Sequence, residues 1–208
     1  MLSKVSAGCC LVLTLVLVSC GNNPVTITPP PGDYFPMALG DWWEYAHSAM
    51  QIEPDSILWE EGSEHNEVIS ISGDTCIVEK TSSLWVAFGQ VQVDTLVMVS
   101  TLTYLVNTDS VAILSPDTVS HKYLDFPLEL GKTWDDWTVV DMDTDVVTPA
   151  GLFEGCAHIS TYSEQHNCYT HYFYSPGTGM IEKCELDAFP WSDSTKFNII
   201  YELTGSSY

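Results

Sequence analysis

Residues 91–106 read Val91-Gln92-Val93-Asp94-Thr95-Leu96-Val97-Met98-Val99-Ser100-Thr101-Leu102-Thr103-Tyr104-Leu105-Val106. Val91, Val93, Thr95, Val97 and Val99 fall on one face of an extended chain, and Leu102, Tyr104 and Val106 on another. Successive side chains of a strand point to opposite faces, so a period of two marks a half-buried strand. β-branched and aromatic residues suit that pleated surface. The period returns near the C-terminus in Phe197, Ile199, Tyr201 and Leu203. Turn signals separate such runs: Ser72-Gly73-Asp74, Asn107-Thr108-Asp109, Ser115-Pro116-Asp117 and Ser175-Pro176-Gly177. From Tyr34 onward the template gives about eleven or twelve short strands and no long amphipathic helix. Short links cannot make the crossovers that parallel pairing needs. The expected fold is all-β and antiparallel, a curved sheet of half-barrel or barrel-like form with little helix.

Composition narrows the function. The 208 residues carry 6 Lys+Arg, all of them Lys, against 28 Asp+Glu, a formal net charge of −22. Nothing here could replace counterions along a phosphate backbone, so no nucleic-acid partner is expected. Binding to anionic headgroups by basic clusters is excluded for the same reason. Hydrophobic residues make up 45% of the chain, enough to bury a core.

The first residues read as an address. Lys4 precedes an apolar run from Ala7 to Val18, shorter than the roughly 20 residues of a spanning helix. Leu17-Val18-Ser19-Cys20 then resembles the bacterial lipobox, which implies a lipid on the Cys20 sulfur and cleavage before it. Residues 1–19 are thus expected to be a lipoprotein signal peptide, and Cys9 and Cys10 would leave with it. Residues 20–33 form a lipidated Cys and a tether with Pro29-Pro30-Pro31, a run that favours a stiff, extended chain. The twelve residues from Gly21 to Gly32, at roughly 3.1–3.5 Å each, reach up to about 40 Å. Several acyl chains anchor stably where one is marginal. The expected location is the cell envelope, on a bacterial membrane at its periplasmic or outer face.

The remainder, 34–208, reads as a single β domain with an internal echo. Phe35-Pro36-Met37-Ala38-Leu39-Gly40-Asp41-Trp42-Trp43 returns as Phe126-Pro127-Leu128-Glu129-Leu130-Gly131-Lys132-Thr133-Trp134. Both are F-P-x-x-L-G-x-x-W. Pro fixes an extended lead-in, Gly permits a turn that a Cβ would strain, and Trp opens a strand with a large buried ring. The repeat points to two similar units, 34–123 and 124–208, or to duplication of the motif alone. The competing reading of the two Trp is a paired aromatic ligand site.

Three motifs carry a family resemblance: Phe35 to Tyr45 as F-P-x-x-x-G-x-x-W-x-Y, Pro149-Ala150-Gly151-Leu152-Phe153-Glu154-Gly155-Cys156 as P-A-G-x-F-x-x-C, and Tyr174-Ser175-Pro176-Gly177-Thr178-Gly179-Met180 as Y-x-P-G-x-G before an apolar residue. In this order they resemble uncharacterised bacterial envelope lipoproteins. The resemblance implies an antiparallel β domain on a lipid anchor and brings no activity or site residues with it.

Four cysteines lie beyond Cys20: Cys76, Cys156, Cys168 and Cys184. An oxidising envelope permits disulfides. A hairpin centred on Pro176 would set residues summing to 352 opposite one another, which pairs Cys168 with Cys184 and leaves Cys76 for Cys156; buried free thiols are the alternative. Cys168, His171, His166 and His158 cluster in sequence, but 168 and 171 point to opposite faces of a strand, and four convergent zinc ligands are not spelled out. Asp141, Asp143 and Asp145 begin like a calcium loop, then Val146 stands where Gly belongs and Leu152 where a bidentate Glu belongs. They remain a weak calcium candidate, read more simply as a solvated hairpin tip; the run Glu60 to Glu67 reads as an acidic loop. No metal site, cofactor or catalytic residue is expected, since no nucleophile elbow, Walker loop or dinucleotide fingerprint occurs. The favoured function is a lipid-anchored envelope lipoprotein with a non-enzymatic binding or structural role, its partner a protein or an apolar ligand. The alternative is a lipid-anchored hydrolase of envelope or extracellular substrates using a carboxylate site, recognisable by two buried acids facing one cleft.

Overall fold

A computed structural model describes residues 34–51, 58–88, 91–114, 120–163, 168–188 and 197–208. They form twelve strands: β1 (Trp42–Gln51), β2 (Leu58–Ser72), β3 (Thr75–Phe88), β4 (Val91–Val106), β5 (Ser110–Leu114), β6 (Ser120–Asp125), β7 (Thr133–Trp134), β8 (Trp137–Thr148), β9 (Gly151–Ser163), β10 (Cys168–Ser175), β11 (Gly179–Ala188) and β12 (Phe197–Ser206). All belong to one sheet, in the order β6-β5-β4-β3-β2-β1-β12-β11-β10-β9-β8-β7, and every pairing is antiparallel. The described residues contain no α-helix. The all-β, antiparallel expectation holds, and so does the strand count.

The order dictates the shape. β6 and β7 are the two free edges of the sheet, yet only the link 126–132 separates them in the chain. A sheet whose opposite edges are joined by so short a link must curl until they meet, and the result is a nearly closed barrel. Lys132 clasps the seam: its Nζ lies 2.9 Å from Oδ2 of Asp125 and donates to the carbonyl oxygens of Asp125 (2.9 Å) and Pro127 (3.1 Å). Across the interior, the Tyr123 ring of β6 meets Trp137 of β8 at 5.5 Å and Tyr172 of β10 at 6.1 Å between centroids.

Both copies of the nine-residue echo build the same turn. Gly40 has φ +85° and Gly131 φ +79°, the left-handed region that a Cβ strains. Gly40 donates its N–H to the carbonyl of Val68, and Val68 returns its N–H to that of Asp41; Gly131 and Lys132 exchange the same two bonds with Val139. Asp41 donates to Ala38 and Lys132 to Glu129, closing each turn. Trp43 and Trp134 are then buried, 6% and 7% exposed, so both indoles are core anchors rather than a surface aromatic site. Phe126 and Leu128 are buried with the second copy, in one cluster with Tyr34, Val111, Leu124, Val139, Ile159 and Tyr174. A second cluster joins Trp43, Tyr45, Val68, Cys76, Val78, Val146, Cys156, Ile181 and Leu203. Both cores lie toward the end of the barrel that carries the tight turns.

Two local expectations need correction. Residues 91–106 form one unbroken strand, and Val97 and Val99, expected on a half-buried surface, are 61% and 63% exposed. The reason is parity: Leu102 and Tyr104 are opposite the core residues Val78 and Cys76, so the even-numbered face of β4 turns inward and Val97 and Val99 turn outward. The hairpin of β10 and β11 turns on Pro176-Gly177-Thr178, one residue later than assumed, and carries a bulge between Phe173 and Tyr174. Opposed residues therefore sum to 355 beyond the bulge, and Cys184 faces His171. Cys168 shares the face of Thr170 and Tyr172, which are paired with Glu185 and Lys183, while Cys184 points to the other face. A one-residue slip has moved the two thiols to opposite sides of the sheet. All four cysteines 76, 156, 168 and 184 are free thiols here, and Cys76 and Cys156 lie in one core cluster.

Candidate functional site

The three motifs behind the family resemblance converge at the turn end. The β10–β11 turn packs on the first entrance: Trp43 Nε1 donates to the Thr178 carbonyl at 2.6 Å and the Tyr45 hydroxyl to that of Met180 at 2.9 Å. A Cβ on Gly179 would sit 3.5 Å from both Pro36 Cδ and Trp43 Nε1, which limits how large a residue fits there. The β8–β9 turn reaches over to β12, where Ala150 donates to the Leu203 carbonyl. Between them lies a cleft lined by Phe35, Met37, Trp43, Tyr45, Tyr104 and Met180. Its volume is about 60 Å³, room for a few waters. These side chains pack the turn end of the barrel.

The inner wall changes character toward the other end, whose connections 52–57, 89–90, 115–119, 164–167 and 189–196 lie outside the described residues. Here a cavity of about 160 Å³ is lined by His47, Glu64, Lys80, Ser82, Met98 and Tyr201, among others. Glu64, only 8% exposed, forms an ion pair with Lys80 and accepts from Asn66 Nδ2 at 3.0 Å. Lys183 Nζ lies 2.7 Å from Glu185 and above the rings of Tyr201 (5.2 Å) and Tyr172 (5.8 Å). Burial alone would lower the Lys183 ammonium; Tyr172, Glu185 and Tyr201 outweigh it and hold its pKa above the ordinary value. His47 stacks on Tyr201 at 4.4 Å, and burial draws its pKa below the usual value against the pull of Glu64. In a chain so poor in cations, two lysines thus point inward. The belt offers both signs of charge, hydroxyls and two aromatic faces, the equipment for holding a small polar molecule.

The other sequence candidates are dispersed. Cys20 lies outside the described residues, as does His166. Asp141, Asp143 and Asp145 share an exposed face of β8 in a run of bulges against β9, not a hairpin tip. Asp141 Oδ1 accepts the N–H groups of Met142 (2.7 Å) and Asp143 (3.2 Å), and Asp145 Oδ1 that of Gly155. Among the described residues, no three His, Cys, Asp or Glu converge as metal ligands would. The acidic run from Glu61 to Glu67 is strand β2, not a loop, and its alternation turns Glu64 inward while Glu61 and Glu67 stay exposed. Of the paired acids that a hydrolase needs, Glu182 and Glu202 face each other across β11 and β12, and burial together with Glu202 raises the Glu182 pKa. They stand on the outer wall, opposite in face to Lys183 and Tyr201. The inner belt escaped sequence reading because Lys80, Lys183 and His47 carry no motif; their alternation with exposed neighbours was the one signal.

The fold and belt together define a barrel-shaped antiparallel β protein with a packed end and a polar end. No known family model matches the chain, and no curated protein sequence does. Two solved structures are similar to it. A candidate lipoprotein from Parabacteroides distasonis is 13% identical, covering 84% of this chain and 98% of its own, with a TM-score of 0.46. A candidate exported protein with a YmcC-like fold from Bacteroides fragilis is 12% identical, covering 84% and 99%, with a TM-score of 0.43.

Proposed function

We propose that the chain is a lipid-anchored envelope lipoprotein whose β domain has a non-enzymatic role, binding a small polar ligand at the charged end of its barrel. The observation that carries the anchoring is Leu17-Val18-Ser19-Cys20, between an apolar leader and a Pro-rich tether. Binding rather than catalysis is supported by the inner belt, where Glu64 and Glu185 are each engaged by a lysine instead of standing free as acid or base. On this reading the tether would reach the domain at Tyr34, beside the turn end, and the polar end would be the one turned from the membrane. Cys20→Ser tests the anchoring: the variant is expected to lose detergent partitioning or to accumulate uncleaved. A processed variant that partitions like wild type would refute it. For the belt, Lys183→Met and Lys80→Met should abolish any ligand retention that the wild-type domain shows in a screen of small polar metabolites, and retention unchanged in both would place binding elsewhere.

A further inference from the structure

Strand β4 is paired along the whole of one side and only part of the other. β3 runs beside it from Val91 to Leu105, whereas β5 covers only Thr103 to Val106. Among the described residues, nothing pairs with the β5 side of β4 from Val91 to Leu102, so alternate N–H and C=O groups face outward there. Edge strands are usually blunted by a lysine, a proline, a bulge or short length. From Asp94 to Leu102 the ladder to β3 is unbroken, and the segment holds neither Lys nor Pro. Its side chains are apolar and open on both faces. Val97 and Val99 turn outward, while Leu96 and Met98 share the inward face and are still 53% and 48% exposed. Asp94 is the one charged residue between Val91 and Val106.

We propose that β4 pairs antiparallel with β4 of a second copy about a two-fold axis at Val97, joining two barrels through one continuous sheet. A two-fold pairing needs a strand that complements its own reverse. About Val97 this one does: Val97 meets Val97, Leu96 meets Met98, Thr95 meets Val99 and Asp94 meets Ser100. Val97 also lies at the middle of the free edge, so both copies cover it evenly. Charge decides in favour of this register. Each chain carries a formal net charge of −22, and two copies repel wherever carboxylates approach. Here no carboxylate opposes another. The two Asp94 residues stand six residues apart along the strand, about 20 Å, well beyond the screening length of about 8 Å at physiological salt. The axis uses up the edge in both copies, so the assembly closes at two. The pairing is independent of the lipid anchor and of the inner belt.

The test is analytical ultracentrifugation of the mature protein at physiological salt, in density-matched detergent held in large excess. The wild type should sediment as a dimer. Val97→Lys sets two ammonium groups opposite each other at the axis and should raise the dissociation constant at least about tenfold. Val140→Lys, at an exposed position of β8, should leave it unchanged. Val97 points outward, so the substitution is expected to fold, and circular dichroism checks this. A second readout does not disrupt the edge: Val97→Cys should join two copies through a short thiol cross-linker, and Val140→Cys and the wild type should not. A wild type that is monomeric at about 0.1 mM, as an edge kept for a different protein would leave it, would overturn the proposal. So would a folded Val97→Lys variant that dimerises as the wild type does, a Val97→Cys variant that fails to cross-link, or an assembly larger than two.

Discussion

The two strand entrances, 35–43 and 126–134, share a pattern, a left-handed glycine, a pair of hydrogen bonds to a valine and a buried indole. The strands they open are unlike. The first leads into β1, ten residues paired on both sides by β2 and β12; the second leads into β7, two residues at a free edge. A local motif therefore sets how the chain enters the sheet, and the neighbours set how long the strand lasts. The variable positions divide the labour further. Asp41 accepts from the Ala38 N–H and from the Tyr208 hydroxyl, tying down the last residue, while Lys132 in the matching place holds β6 at the seam.

The largest expected effect comes from deleting the indoles. Trp43→Ala should cost roughly 3–5 kcal/mol and Trp134→Ala less, because β7 sits at an edge that can relax. Chemical denaturation of both variants measures this, and equal losses would mean that the edge is as constrained as the centre. Gly40→Ala and Gly131→Ala come next, at about 1–2 kcal/mol each. An added Cβ meets nothing within 4 Å at either position, so the cost is backbone conformation alone and should be the same in both copies. Unequal melting shifts would break the equivalence of the turns.

Trp→Phe separates packing from hydrogen bonding. Trp43→Phe loses the bond to Thr178 and should cost about 1 kcal/mol beyond the loss of ring area. Trp134 Nε1 is buried without a partner, so Trp134→Phe removes an unsatisfied donor and should come out closer to neutral. A larger loss at 134 than at 43 would contradict this. Lys132→Met should have the smallest effect, under about 1 kcal/mol near neutral pH for an ion pair at the surface. Burial would raise the Asp125 carboxyl, but Lys122 and Lys132 hold its pKa below the usual value. A depressed carboxyl contributes stability above its unfolded value of about 3.8 and loses it as pH falls through the folded one. The gap between wild type and Lys132→Met should therefore close at strongly acidic pH; a gap that persists there would assign the effect to the carbonyl contacts instead.

The class of fold was legible because alternation and turn residues are local properties. Asn107 illustrates this, its side-chain oxygen capping the N–H groups of Asp109 and Ser110 in the turn that its sequence announced. What failed depended on register. The bulge at Phe173 and Tyr174 moved Cys184 by one residue and so to the other face, and no residue type announces that bulge. The exposure of Val97 and Val99 follows from which face of β4 turns inward, and that is set by its pairing with Cys76 and Val78 of another strand. Likewise the contact between His158 and His171 needs the pairing of β9 with β10, whereas sequence proximity had grouped His171 with Cys168, which faces inward. The charged belt was hidden by its ordinariness: Glu64 sits in an acidic run, and only its parity separates it from Glu61 and Glu67.

The strand order carries a consequence for how the chain assembles. Every pairing except β1 with β12 joins strands consecutive in the chain. The molecule is two meanders, and each can zip outward from its own tight turns with little loop closure. The entropy of bringing distant segments together is concentrated in one event, the docking of the first strand on the last. A chain opened in the 126–132 link and rejoined from Tyr208 to Tyr34 would turn that one distant contact into a neighbouring hairpin, and would be expected to fold faster while keeping the same sheet.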